Sequence, residues 1–134
     1  MKEHAFSLVE ILIVVAVIAI LATLAMSVLS GTSRQANEMV ARQQQAELQT
    51  ALGNWIASAS SEQGGLAEAR RRYNNEANKL LLLADYLQTA TAQSLSSSGS
   101  SITSAALTAS GARLYFSTPW SATNSPSVVW SNTQ

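Results

Sequence analysis

The feature that most constrains this chain is a long uncharged segment near its N-terminus. Every residue from 11 to 22 is apolar, and no charged side chain occurs from 11 to 33. As an α-helix, the longer stretch would rise about 34 Å, close to the hydrocarbon thickness of a bilayer. Because a bilayer offers no water to exposed backbone groups, a lone segment can cross it only as a helix. The sequence therefore predicts one membrane-spanning helix.

The composition of the whole chain narrows its function class. Apolar residues make up 47% of the sequence and charged residues 12%, about half the charged share of ordinary soluble domains. Eight basic and eight acidic side chains cancel, so no net positive field attracts a polyanion. We therefore expect no nucleic-acid partner. The chain has no cysteine, which excludes a disulfide framework and a thiolate metal site.

One acid, Glu10, lies at the head of the apolar run. A carboxylate costs about 2.5 to 3.5 kcal/mol at the middle of a bilayer and less near the interface. Its position alone leaves two interpretations of Glu10 open. It is a functional acid, or it lies among the lipid headgroups and has no function. A secretory signal peptide is a further possibility, with Lys2 as its charged start and Ala25 to Ser27 as a weak cleavage site.

The residue order around this acid is specific. Ala5 is followed by Phe6, three short or aliphatic residues at 7–9, then Glu10 and the apolar run from 11 onward. This order closely resembles the type IV prepilin signature. The resemblance implies cleavage between Ala5 and Phe6, N-methylation of Phe6, and pairing of Glu10 with the Phe6 amine of a neighbouring subunit. Ala5 stands where that family most often has Gly.

The resemblance also implies a role for the chain. It is that of a structural subunit of a type IV pilin-like filament, and more specifically of a type II secretion pseudopilus. Such a subunit is stored in the bacterial inner membrane, among lipid, as a single-pass protein with its head in the periplasm. Its partners would be a prepilin peptidase and methyltransferase, an inner-membrane assembly platform, and other pilin-like subunits in a homo-oligomeric or mixed filament.

Beyond the apolar segment the pattern becomes amphipathic. Apolar residues recur at intervals of three or four, and Gln43 to Gln45 and Glu47 lie between them as a polar face. The recurring apolar positions are Val40, Leu48, Leu52, Trp55 and Ala59. The pattern predicts an amphipathic helix over 31–58, and a second apolar seam predicts a second helix over 66–93.

The C-terminal third has the pattern of a loop followed by a sheet. Serine dominates 94–104, which predicts an exposed loop, and short runs of β-forming residues predict a small antiparallel β-meander over 105–131. The fold class is therefore α+β and pilin-like, with a long N-terminal helix. The predicted divisions are the leader 1–5, the hydrophobic helix 6–30 and the periplasmic head 31–134.

The titratable residues do not favour an enzyme. After the leader the chain has no histidine, and Asp85 is its only aspartate. No acid follows Asp85, so we predict no metal site and no cofactor. The run from Arg70 to Arg72 is the only basic cluster, and Glu68 and Glu76 lie within helical reach of Arg72. A solvated helix face with intrahelical ion pairs is the interpretation that this spacing favours.

Two other functions remain open at this point. The chain could be a signal-anchored or secreted extracytoplasmic binding protein, or a minor pilin of an adhesive or uptake pilus. The mature N-terminus distinguishes ordinary secretion from filament assembly. A mature chain that begins at Phe6 supports a filament subunit, whereas a start near Val28 supports ordinary secretion.

Overall fold

A computed structural model describes residues 7–132 of the chain. They form two compact units, which divide between Gln35 and Ala36. The first helix, α1, extends over Leu8–Ser61. Its predicted end at 58 was three residues early. The helix ends at Ser61 because Gly64 and Gly65 then adopt φ values of 101° and 56°, which only glycine accommodates easily.

The prediction of a single second helix over 66–93 is wrong. Asn78 breaks it, because its backbone is extended and its side chain accepts a hydrogen bond from the Leu80 N–H, which starts a new helix. A 3₁₀ turn at Ala84–Tyr86 interrupts the chain again. Three α-helices therefore occupy the region: α2 at Gly65–Asn75, α3 at Lys79–Leu83 and α4 at Thr89–Ser94.

The sheet is a four-stranded antiparallel meander in the order β1-β2-β3-β4, so the α+β fold class is confirmed. Its strands are β1 at Ser96–Ser98, β2 at Ser101–Thr103, β3 at Ala112–Phe116 and β4 at Val128–Asn132. The prediction of a loop over 94–104 is wrong, since this segment forms the β1-β2 hairpin. Buried Ile102 anchors that hairpin by pairing with Leu114 of β3.

The predicted sheet region over 105–131 begins with a helix instead of a strand. Helix α5 covers Ala105–Ser110. Ser104 starts it, because the Ser104 hydroxyl accepts a hydrogen bond from the Leu107 N–H at 3.1 Å. Gly111 ends it with φ 71°, a left-handed conformation suited to glycine, and β3 begins at the next residue.

The head has one hydrophobic core, in which the amphipathic stripe of α1 packs with α2 and the sheet. Three aromatic rings lie at its centre. The ring centroids of Trp55 and Tyr73 are 6.2 Å apart, and those of Tyr73 and Trp120 are 6.0 Å apart in an edge-to-face arrangement. The largest fully buried side chains are Tyr73, Leu48, Leu52, Leu83, Ile102, Leu107 and Leu114.

Glutamines of α1 contact the rest of the head, although their sequence positions suggest a polar outer face. Gln44 is buried, and its amide donates to the Ser94 hydroxyl and accepts from the Ser104 hydroxyl. Gln45 and Gln49 bond to the backbone C=O and N–H of Val128 at 3.3 and 2.8 Å. These side chains satisfy the outer edge of β4 as a further strand would.

We expect Gln44→Ala to lower the free energy of unfolding by about 1 to 3 kcal/mol, because the buried Ser104 hydroxyl loses the acceptor that Gln44 provides. The matched control is Gln43→Ala, since Gln43 is exposed and bonds only to Glu47 of its own helix. Denaturant unfolding of the detergent-solubilised chain, followed by tryptophan fluorescence, measures both. Equal stability of the two variants would contradict the structural role of Gln44.

Candidate membrane and assembly segment

The N-terminal part of α1 exposes an apolar surface on all sides. In its most apolar window of 18 residues, mean hydropathy is 3.0 and no residue is buried within the chain. The exposed large side chains include Leu8, Val9, Ile11, Leu12, Ile13, Val14, Val15, Val17, Ile18, Ile20, Leu21 and Leu24. Among the residues that the structure describes, α1 alone is long and apolar enough to cross a bilayer.

Hydroxyl groups in this segment are satisfied by the helix itself. Thr23 donates to the Ile20 carbonyl at 2.7 Å, and Ser27 donates to the Leu24 carbonyl at 3.2 Å. Bonds of this kind within one helix remove the need for water at polar side chains. Thr23 and Ser27 can therefore be surrounded by lipid or by other apolar helices with their hydroxyl groups satisfied.

Glu10 lies in the first turn of α1, where its own N–H bonds to the Ser7 carbonyl at 2.9 Å. Its side chain is exposed, and within 7–132 no hydrogen bond or ion pair involves its carboxylate. The positive end of the helix dipole favours an acid at this position. The predicted processing residues, Ala5 and Phe6, lie outside the described residues, so the structure places only one of the three predicted site residues.

The N-terminal segment contains a motif that is known from other proteins. Residues 1–26 match the family described as the prokaryotic N-terminal methylation motif. The chain carries the prepilin cleavage motif. It therefore begins with the sequence that type IV pilins and pseudopilins share, and the methylation motif supports a pilin-like subunit in general. Comparison with curated proteins gives no match, and comparison with solved structures gives none.

The methylation motif and the exposed apolar helix both support a membrane-anchored, pilin-like subunit. The motif implies processing by a prepilin peptidase and assembly with pilin subunits in general, and the helix indicates membrane anchoring. Proteins with this motif are structural and not enzymatic. Within the described part of the chain, no group of three or more His, Asp or Glu side chains could hold a metal ion.

The basic run in the head forms one intrahelical ion pair, as predicted, but Arg72 pairs with a different acid. Arg71 binds Glu68 through two hydrogen bonds of 2.8 and 2.7 Å, and this contact lowers the pKa of Glu68. Arg72 binds Glu62, which precedes α2, at 2.8 Å. Glu76 instead accepts a hydrogen bond from the backbone of Asn78, two residues later. Arg72 therefore pairs with an acid outside its own helix, because the turn after α1 brings Glu62 within reach.

Lys79 is a buried cation that the sequence patterns did not single out. Its ammonium donates to the backbone carbonyls of Tyr73 and Glu76, and it lies 4.7 Å from the centroid of the Tyr73 ring. Loss of hydration lowers the pKa of Lys79. The available signal was its position directly before four leucines, which places a charge at the start of an apolar run.

Tyr73 is fully buried, and burial raises its pKa to about 12 from an ordinary value of 10.0. Between pH 10 and 12 the unfolded chain loses this proton while the folded chain keeps it. The free energy of unfolding therefore falls as pH rises through this interval, by about 2 to 3 kcal/mol. Lys79 acts in the opposite direction, since its lowered pKa makes the head more stable as pH approaches the ordinary lysine value.

We expect Tyr73→Phe to flatten the loss of stability between pH 10 and 12. At pH 8 the same variant should be less stable by about 1 kcal/mol, because Tyr73 donates a hydrogen bond to the Ser117 carbonyl at 2.8 Å. Tyr115→Phe is the matched control and should keep the alkaline loss, since Tyr115 is only partly buried. Unfolding curves at several pH values measure both, and an unchanged pH dependence in Tyr73→Phe would contradict the assignment.

Proposed function

We propose that the chain is a structural subunit of a type IV pilin-like filament, of the type II secretion pseudopilus kind. Before assembly the subunit is held in the bacterial inner membrane by the apolar part of α1, with its head in the periplasm. A prepilin peptidase and methyltransferase process its N-terminus, and an inner-membrane assembly platform transfers it into the filament. The observation that carries this proposal is the prepilin motif joined directly to an exposed apolar helix.

The physical basis of assembly is the exchange of lipid contacts for helix contacts. Lipid tails are as apolar as leucine, so bringing apolar helices together gains close packing and little hydrophobic energy. A polar pairing must then select the register of neighbouring helices. After cleavage, the new amine at Phe6 and the carboxylate of Glu10 have opposite charges at the same end of the subunit. Their pairing between neighbours compensates two charges in a medium of low dielectric constant.

The mass of the mature chain tests this function. A filament subunit should begin at N-methylated Phe6, and its head should remain attached to the apolar helix. Mass spectrometry of the chain purified from its native membrane measures the N-terminus directly. A start near Val28 would identify a secreted protein, and an intact chain from Met1 onward would contradict processing.

We expect a bulky residue at position 5, as in Ala5→Leu, to block this cleavage, because the peptidase motif has a small residue before the scissile bond. The change in electrophoretic mobility that accompanies removal of the leader is the measurement. Ala5→Gly is the matched control and should be processed at least as well as the natural chain. Normal maturation of Ala5→Leu would contradict recognition of this site.

Glu10→Gln should leave membrane insertion intact and reduce filament assembly strongly. The substitution keeps the size of the side chain but removes the negative charge that pairs with the amine of the neighbouring subunit. Breaking a buried ion pair costs about 3 to 5 kcal/mol. Membrane fractionation measures insertion, and filament yield by electron microscopy measures assembly.

Glu38→Gln is the matched control on the same helix. Glu38 is exposed and lies 3.8 Å from Arg42, a loose surface pair of the kind that contributes about 0 to 1 kcal/mol. This control should assemble normally. Normal filaments from Glu10→Gln would refute the pairing with Phe6.

A further inference from the structure

A small cleft in the head lies between α1 and the end of the 3₁₀ turn. Helix α1 lines it with Gln43, Ala46, Glu47 and Thr50, and residues 86–88 supply the rest of the lining. The cleft is open to solvent and has a volume of about 260 Å³. Clefts that hold drug-sized ligands have volumes of about 300 to 1,000 Å³. This cleft therefore suits a single side chain or a ligand of that size.

Glu47 is the charged side chain of this cleft, and two elements of the head hold it in place. Its Oε1 atom accepts a hydrogen bond of 3.0 Å from the amide of Gln43, one turn earlier in α1. Its Oε2 atom accepts a hydrogen bond from the hydroxyl of Thr91 in α4. The side chain is half-buried. Hydrogen bonds from two separate elements fix the orientation of this carboxylate in the cleft.

The negative charge of Glu47 has no counter-cation within residues 7–132. Both of its hydrogen-bond donors are neutral, and the ion pairs of this region join Glu38 with Arg42, Glu68 with Arg71, and Glu62 with Arg72. A half-buried charge is less screened by water than an exposed one, so it interacts more strongly with a cation.

The polar groups beside Glu47 offer acceptors to a ligand, because they use their donors within the head. The Gln43 amide donates to Glu47, and the Thr50 hydroxyl donates to the Ala46 carbonyl at 2.9 Å. A hydroxyl has a single hydrogen, so Thr50 has only lone pairs left, and the side-chain carbonyl of Gln43 is an acceptor as well. A ligand with several donors, no acceptor and a positive charge complements this lining.

The remaining lining is apolar and aromatic. Ala46, Leu87 and the exposed ring of Tyr86 contribute it. An aromatic ring attracts a cation through its quadrupole, and it also packs against methylene groups. A lysine side chain has both of these parts, because an apolar four-carbon stem ends in an ammonium with three donors.

Two other cations fit this cleft less well. A guanidinium binds a carboxylate best through both oxygens at once, but each oxygen of Glu47 already accepts a hydrogen bond. Calcium takes about six to eight oxygen ligands, commonly from several carboxylates, and Glu47 is the one carboxylate among the described residues of the lining. The chemistry of the cleft therefore favours a primary ammonium on an apolar stem.

We propose that this cleft binds the side chain of a lysine presented by a partner protein. The ammonium contacts Glu47, and the stem packs against Tyr86 and Leu87. This binding site goes beyond the filament function, since it needs neither the apolar part of α1 nor a neighbouring subunit. It gives the head a recognition site of its own.

Titration of the full chain in detergent micelles with Nα-acetyl-lysine N-methylamide tests the site. Amide chemical shifts, measured by nuclear magnetic resonance, should change saturably at residues 46–50 and 86–88. Glu47→Gln should raise the dissociation constant by about tenfold or more, because it keeps an acceptor for Thr91 but removes the negative charge. Glu38→Gln is the matched control and should bind like the natural chain, because Glu38 lies outside this cleft.

Changes in the ligand test the same site without a substitution in the chain. The Nε-acetylated form of the ligand keeps the stem but lacks the charge, and it should cause no saturable shifts. The arginine analogue and the free diamine putrescine should both bind more weakly than the lysine ligand. The second ammonium of putrescine would lie against the apolar lining.

Three outcomes would overturn parts of this assignment. Equal affinity of Glu47→Gln and the natural chain, or equal binding of the acetylated ligand, would overturn the cation site. Equal binding of the arginine analogue would overturn the assignment to lysine. Tighter binding of putrescine would identify a free amine as the ligand and overturn the protein partner.

Discussion

The uncovered apolar surface of α1 is the constraint on which the rest of the molecule depends. A segment without charge from 11 to 33 presents exposed Ile, Leu and Val on all its sides, and no described part of the chain buries it. Such a surface is stable only in lipid or among other apolar helices. The subunit is therefore physically incomplete alone, and its proposed storage in a membrane and its proposed filament are two ways to cover the same surface.

In the head, the same helix packs against the other elements of the chain. Beyond Ala36 the buried apolar residues of α1 form one stripe, which the shorter helices and the four-stranded sheet cover, whereas Met39 and Val40 stay exposed. Glutamines beside that stripe bond to the edge of β4, while buried Lys79 joins the end of α2 to the start of α3 through backbone carbonyls. The core is small, so buried polar bonds of this kind contribute specificity to the packing of the head.

The charges of the head are arranged so that few remain unpaired. Three ion pairs form within residues 7–132, and other acids there accept hydrogen bonds from nearby polar groups. In the proposed assembly, Glu10 with the Phe6 amine would align the helices. A polar contact of this kind specifies a helical arrangement better than nonspecific apolar packing does.

The sequence by itself determined the membrane-length helix, the prepilin motif and the α+β class, because these depend on local order and on the period of apolar residues. Only the tertiary structure decided the rest. Serines at 96–98 became a strand because Ile102 of the same hairpin is buried against β3, and the predicted second helix was divided where Asn78 caps a new one. Gln44 is a polar residue whose burial depends on the hydroxyls of Ser94 and Ser104, which belong to distant segments. A local pattern carries no information about such partners, since folding alone brings them into contact.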